Sequence, residues 1–386
     1  MRTTLPSDFT IGFLGAGQLA RMSALQAFRF GMQVAVLSDR PNEKEPVTMM
    51  TPHVFYGSFD DADALLRFAE QCDVITLENE FIPSSVLFQL REKSGTPIYP
   101  SPETFARIEN KWIEKKTFED AGIEVAPYAL ITSVEEMNAF GELHGWPFLL
   151  KSSKGGYDGY GNRTVRNIDE AGDAFDQLGG SRGHDIVAEA FVAFTHELAV
   201  QVAANEQGHV VYPCVETVQK NHICVAVTSP APVHDDIQKE AQRIAVQAVE
   251  AIEGKGVFAF EFFLTTDNRL VLNESAPRPH NSGHYTIEGV VASQFENHVR
   301  AVSGLPLGST ERTAPAAVMI NLLGTHNRPA VFEHVDDGFC MANGHLHHYG
   351  KTESKIGRKM GHYTLLGDDV EQLLERATKA TMNIHI

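Results

Sequence analysis

The stretch Lys151-Ser-Ser-Lys-Gly-Gly-Tyr-Asp-Gly-Tyr-Gly161 places four glycines within seven residues, just after two lysines. Glycines let a loop fold its backbone amides over an anion where a Cβ would collide, and the ammonium groups supply countercharge. This pattern predicts a loop from Gly156 to Gly161 that closes over the phosphates of a nucleoside triphosphate, with Lys151 and Lys154 as its cations. A Gly-rich surface turn is the alternative for the loop alone. Farther on, Glu261 interrupts the apolar run Gly256-Val-Phe-Ala-Phe-Glu-Phe-Phe-Leu264, and the next apolar segment ends in Asn273 and Glu274. A lone charge in a buried strand needs a cation or a basic partner. Antiparallel pairing about the turn Thr266-Asp-Asn268 sets Glu261 beside Glu274, a pair of hard oxygen donors suited to Mg²⁺. A salt bridge to a core arginine is the competing use of such a carboxylate.

These groups need elements to hold them. Residues 1–100 alternate strand and helix signals: Phe9–Leu14, a helix Gln18–Phe30, Gln33–Leu37, a helix Asp60–Gln71 and Val74–Leu77. Alternation of this kind predicts a parallel sheet, with the turn Gly15-Ala-Gly17 at a helix N-terminus. The acids of Thr76-Leu-Glu-Asn-Glu80 follow the last of these strands, where ligands bind in open α/β sheets, so Glu78 and Glu80 are candidates for substrate contact. A dinucleotide fold is the rival for this part, but Ala20 stands where its third glycine belongs, and Asp39 reads equally as an exposed strand-end acid. Pro102 to Ala121 reads as one helix. Phe148–Lys151 and Ile186–Val192 read as strands, and a short apolar run, Ala316–Leu323, and a helix near Asp369–Ala380 place a small β-rich unit at the end.

The chain of 386 residues carries a formal net charge of −18, which argues against a nucleic-acid or anionic-membrane surface. No apolar run approaches a membrane span and the first residues lack a signal-peptide core, so a cytoplasmic location is expected. Cys72, Cys214, Cys224 and Cys340 are widely spaced and are expected to be buried thiols. His345, His347 and His348 lack partners at metal-ligand spacing and read as a partly exposed strand.

Taken in order, Gly15-Ala-Gly-Gln-Leu-Ala-Arg-Met22, Gly155-Gly-Tyr-Asp-Gly159, Asn273-Glu-Ser-Ala-Pro-Arg-Pro-His-Asn-Ser-Gly-His284 and Gly357-Arg-Lys-Met-Gly-His362 resemble the ATP-grasp superfamily, and within it the 5-(carboxyamino)imidazole ribonucleotide synthase family. The first motif is weakly specific; the last two together are highly specific. Val215–Cys224 is similar to the fungal branch, in which this region is fused to a carboxylase; the sequence up to Ile386 is expected to act without that partner. The resemblance implies a mixed α/β and α+β fold: a Rossmann-like pre-ATP-grasp domain (1–100), an ATP-grasp domain (101–305, with a flexible-loop subdomain at about 125–193) and a β-rich C-terminal cap (306–386). It implies carboxylation of aminoimidazole ribonucleotide with ATP, bicarbonate and two Mg²⁺ ions through carboxyphosphate, in a homodimer whose product passes to a separate mutase.

The same resemblance assigns roles by position. Lys111, Lys151, Asn162, Asn273 and the loop Gly156, Tyr157, Asp158, Gly159, Tyr160 and Gly161 would meet ATP. Glu189 would accept from the adenine amine, main-chain groups of Ala190, Phe191 and Val192 would complete that contact, and Glu197 would take the ribose hydroxyls. Singly, Glu189 and Glu197 also read as exposed strand acids. Gln219 stands where many relatives have His and cannot titrate. Gln18 and Leu19 would offer amides to the substrate, Lys351 and Arg358 would grip its phosphate, and Tyr157 and Asp158 would reach its amine. The run around Lys351 and Arg358 also reads as a solvated basic face. Tyr160 departs from the basic residue of several relatives. Arg278, His280 and Asn281 would orient bicarbonate, with His280 as a proton relay. Three other readings share parts of this pattern: a formate-dependent glycinamide ribonucleotide transformylase, a biotin carboxylase and a noncatalytic nucleotide sensor.

Overall fold

The computed structural model describes residues 4–41, 43–155, 161–221 and 223–386. The first unit is a parallel sheet of five strands in the spatial order His53–Tyr56, Gln33–Ser38, Thr10–Leu14, Val74–Leu77, Ile98–Tyr99. Thr10–Leu14 is buried along its whole length, as an apolar run covered on both faces should be. The chain order reverses around this strand, so the turn after Leu14 and the segment after Leu77 open on one crevice.

The expected helix Pro102–Ala121 is two helices, Pro102–Ala106 and Lys111–Asp120. The break has a local cause. The Asn110 side chain accepts from the Trp112 and Ile113 amides and so starts a new helix, as Ser101 starts the first by accepting from the Thr104 amide. Next comes an antiparallel sheet in the order Tyr128–Ile131, Ile186–Ala190, Phe148–Ser152, Asn162–Val165, covered by the helices Val134–His144 and Ile168–Gln177.

A nine-stranded sheet holds the rest. Gly256–Thr265 pairs with Leu270–Ala276 on one side and Phe194–Asn205 on the other, and Val215–Lys220 and Ile223–Ser229 follow. Ala316–Leu323 then pairs with Ile223–Ser229 and with Lys359–Gly367, which in turn pairs with Gly344–His348. The C-terminal strands thus continue the central sheet instead of forming a detached cap.

The helix Gln294–Val302 is buried on nearly every face, which makes it a core element and removes it as a surface for a second copy. Cys214 and Cys224 are buried and Cys72 is half-buried, but Cys340 is exposed, because it ends a short surface helix, Val335–Phe339. His345 and His348 are exposed on their strand, as expected. No helix among the described residues is long and apolar enough to cross a membrane.

Candidate active site

The hairpin Gly256–Thr265/Leu270–Ala276 sets Glu261 directly opposite Glu274. Its register shifts between Glu261 and Phe262, so that Asn273 is left out of the ladder and the strand bends at the acidic pair. Three side chains of the helix Lys111–Asp120, at i, i+3 and i+4, hold that bend. Lys111 Nζ lies 3.2 Å from Glu274 Oε2, and Glu114 accepts from the Ser275 amide at 2.7 Å and its hydroxyl at 2.6 Å. Lys115 Nζ donates to the Asn273 carbonyl at 3.4 Å. The Lys111 ammonium holds Glu274 down to about 2, against the opposing effect of burial. Among the described residues no three His, Cys, Asp or Glu side chains converge as a metal cage. Two adjacent carboxylates, one of them kept ionised, therefore fit a cation that completes its shell with water and phosphate oxygens.

Beside this pair lies a buried ionic triad. The strand Phe148–Ser152 carries Lys151 next to Ile186–Ala190, where Glu189 points inward. Glu189 Oε1 is 3.0 Å from Lys151 Nζ, and its Oε2 is 2.8 Å from Lys115 Nζ, with all three side chains less than a tenth exposed. Burial pushes Glu189 up, but the two ammonium groups outweigh it and hold the carboxyl at about 2. Burial likewise lowers Lys151, with Glu189 opposing. Glu189, expected as an adenine acceptor, is in this structure the counterion of two lysines: alternation sets it on the face opposite Ala188 and Ala190, which pack in the apolar core of this unit. Ala190 is buried and its amide donates to the Pro127 carbonyl, while Phe191 is exposed and Val192 half-buried. Glu197, raised by burial, is bonded to Gln219, so these two expected residues do meet.

Of the expected phosphate loop, Gly156, Tyr157, Asp158, Gly159 and Tyr160 lie outside the described residues. Its ends are described. The Ser152 amide donates to the Gly161 carbonyl at 2.9 Å, and Asn162 pairs with Lys151 across the strands. Lys154 reaches Glu109 at 2.8 Å, and the Lys111 amide donates to the Ser153 carbonyl, so the helix that braces the hairpin also ties down the start of the loop.

At the crevice of the parallel sheet, Glu78 sits over the turn Gly15-Ala-Gly17. A Cβ on Gly17 would run into its carboxylate, and one on Gly15 would meet the Glu78 Cβ and the Asn79 amide. The Leu19 amide donates to Glu78 at 3.3 Å, with Gln18 beside it at the helix start. Arg278 takes Glu80 with two parallel bonds, Nη2–Oε1 at 2.7 Å and Nε–Oε2. Leu19 and Arg278, expected to face ligands, each have an acidic partner in the protein. Lys351 Nζ donates to the Lys359 carbonyl at 2.7 Å. Arg358 donates to the Glu353 carbonyl at 2.9 Å, and burial together with nearby Arg40 lowers it.

Burial pushes the Glu78 carboxyl up to about 7, with Arg278, the Leu19 amide and Lys351 opposing. The folded chain therefore keeps this proton to a higher pH than the unfolded chain, where Glu titrates near 4.5, and stability falls as pH rises through that window. Urea unfolding is expected to show the natural chain losing about 2 kcal/mol more than Glu78→Gln between about pH 5 and about pH 7.5. Equal slopes for the two chains would contradict this.

His280 places Nε2 3.7 Å from Glu261 Oε1 and Nδ1 2.8 Å from Ser282 Oγ. Burial, with Arg278 and Lys359, lowers it to about 4, so the ring is neutral near pH 7. Asn281 forms a reciprocal amide pair with Asn321, at 2.9 and 2.6 Å. Its expected role toward bicarbonate is narrowed by this pair, which uses one of its two amide hydrogens. Lys115, Glu114 and Asn321 escape a reading by motif, as does the pairing of Arg278 with Glu80; only the i, i+3, i+4 spacing from Lys111 marks the first two.

Three family models match the chain: a ribonucleotide synthetase preATP-grasp domain over residues 9–109, an ATP-grasp domain over 116–295 and a phosphoribosylaminoimidazole carboxylase C-terminal domain over 317–376. The N5-carboxyaminoimidazole ribonucleotide synthase of Mycobacterium tuberculosis is 39% identical over 96% of this chain and 86% of its own. The phosphoribosylaminoimidazole carboxylase of Ogataea methanolica is 37% identical over 94% of this chain and 67% of its own. Among solved structures, the Thermotoga maritima N5-carboxyaminoimidazole ribonucleotide synthetase superposes with a TM-score of 0.87 at 36% identity, covering 98% of this chain and 99% of that one. The Aspergillus clavatus N5-carboxyaminoimidazole synthase in complex with ADP and 5-aminoimidazole ribonucleotide gives 0.87 at 34% identity, covering 97% and 98%.

Proposed function

The chain belongs to the N5-carboxyaminoimidazole ribonucleotide synthase family of ATP-grasp ligases, and on that premise we propose how its residues share the work of carboxylating 5-aminoimidazole ribonucleotide with ATP, a step of purine biosynthesis. The observation that carries this reading is the Glu261/Glu274 pair, braced by Lys111, Glu114 and Lys115 beside buried Lys151.

Bicarbonate is a poor electrophile and is activated by taking the γ-phosphoryl of ATP, which requires anions to be held in line and their charge absorbed. Glu261 and Glu274 would hold Mg²⁺, two ions in the full site, which when bound draws charge from the phosphate oxygens. Lys111 and Lys151 face the same phosphates. Glu197, with Gln219, takes the ribose, and main-chain groups from Ala190 to Val192 take the base. Arg278, His280 and Asn281 orient bicarbonate and steady the carboxyphosphate formed. Glu78, Lys351 and Arg358 hold the ribonucleotide, its phosphate on the two cations. The loop through Asp158 closes over the reaction and excludes water, which carboxyphosphate does not survive. The domains divide at about residues 100 and 305, and the enzyme works in the cytoplasm as a homodimer that hands its product to a separate mutase.

ADP release from ATP, Mg²⁺ and bicarbonate, followed together with the carboxylated product, tests the assignment. Turnover that depends on aminoimidazole ribonucleotide is expected. Turnover that depends instead on glycinamide ribonucleotide and formate would move the chain to the transformylases, and no turnover with either would make it a nucleotide sensor.

A further inference from the structure

The ring of His280 is held from three sides. Gln294, fully buried, spans its main chain: Oε1 accepts from the His280 amide at 2.9 Å and Nε2 donates to its carbonyl at 2.7 Å. On the ring itself, the Ser282 hydroxyl lies 2.8 Å from Nδ1, and the Ser282 amide points at the same nitrogen at 3.4 Å. Behind Ser282, Gln201 Nε2 donates to Oγ at 2.8 Å from the strand Phe194–Asn205. Gln201 and Ser282 are both buried, at 0% and 1% exposure, so water does not compete for these bonds.

Two contacts bias the donor directions in this chain. A backbone N–H can only donate, so the Ser282 amide, at 3.4 Å, favours a lone pair on Nδ1 without fixing it alone. As placed, the Gln201 amide leaves one buried acceptor, Oε1, without a partner. The flipped amide would leave two N–H donors there, where the placed amide leaves that oxygen and one N–H, and an orphaned buried N–H is the rarer of the two in folded proteins. Gln201 therefore donates to Ser282 Oγ, the hydroxyl hydrogen is free to donate to Nδ1, and the proton of the neutral ring sits on Nε2. That nitrogen faces the side of Glu261 and the phosphate-transfer cleft.

We propose that Gln201 and Ser282 are positioning residues that lock His280 as the Nε2–H tautomer, so that it enters the reaction as a hydrogen-bond donor to an anionic oxygen and not as a base. This rests on the reading above that His280 faces bicarbonate and carboxyphosphate. It replaces the proton-relay role with a fixed donor. Such a donor stabilises charge that develops on oxygen without reorganising at the moment of reaction.

The full chain labelled with ¹⁵N-imidazole histidine tests the tautomer directly, with His280→Gln identifying the resonances that belong to His280. A pyridine-type Nδ1 and a pyrrole-type Nε2 are expected; the reverse pattern would overturn the proposal. Ser282→Ala should mix the two tautomers and lower kcat by about tenfold, the size of one neutral hydrogen bond, while moving KM for ATP by less than about twofold. An unchanged tautomer with unchanged kcat would also overturn it. If Ser282→Ala fails to fold, Gln201→Leu tests the same chain one bond farther out, with the same expected and contrary results. The ¹⁵N pattern is read without substrate, so the tautomer is decided even if the chain proves not to carboxylate aminoimidazole ribonucleotide.

Discussion

Glu274→Gln is expected to lower kcat for ADP formation driven by aminoimidazole ribonucleotide by roughly 10²–10³-fold and to raise the Mg²⁺ concentration needed for half-maximal rate. The amide keeps the size of the side chain but loses the charge that Lys111 holds in place and that a cation requires. The loss has two parts, and they can be separated. The metal part appears in a Mg²⁺ titration of the rate. The structural part, an ammonium deprived of its partner at 3.2 Å, appears as a lowered Tm in the absence of nucleotide. Glu261→Gln should reproduce the metal part and leave Lys111 with its partner, because the ion pair of Lys111 at 3.2 Å is with Glu274. A Glu274→Gln chain that retains more than about a tenth of the activity, with an unchanged Mg²⁺ requirement, would make the pair a structural salt-bridge site.

Arg278→Met should be inactive to a similar degree and measurably less stable. The guanidinium is half-buried against Glu80, with both bonds of the fork made, and removing it leaves a carboxylate with little access to water. Truncating one partner of a fully buried pair costs about 3–5 kcal/mol; with 19% and 28% of the two side chains exposed, roughly 2 kcal/mol is expected here. The companion Glu80→Gln separates the two functions of the arginine. In the double variant the unpaired charge is gone, so much of the stability should return, with a coupling of about 1–2 kcal/mol in the cycle. Activity should stay low, since nothing replaces the cation. If carboxylation returned together with stability, Arg278 would be a structural partner of Glu80 and its role toward bicarbonate would fall.

Both variants act on contacts that a sequence reveals unequally. Glu261 and Glu274 are legible to within one residue: a hairpin with a short turn brings the two segments face to face, but the register of that turn, Leu264 opposite Leu270, would set Asn273 against Glu261, and the shift after Glu261 moves Glu274 into that place. The local rules are also visible at Asn110, whose capping side chain breaks the helix read as continuous from Pro102 to Ala121. The cap competes with helix continuation at that point and prevails because its side chain satisfies two amides at once.

The parallel sheet at the start, the glycine turn beneath Glu78, the acidic hairpin and the family motifs can be read from the chain, because each depends on residues close in sequence; the bulge that sets Glu274 rather than Asn273 against Glu261 cannot. Only the tertiary structure decided that Glu189 turns inward between Lys115 and Lys151, that Arg278 finds Glu80 across 198 residues, that the last strands join the central sheet, and that Gln201 orients the hydrogen on His280. Each of these depends on where separate elements pack against one another. A buried charge or amide accepts whichever partner that packing supplies, because leaving it unpaired costs more than any preference its own segment expresses.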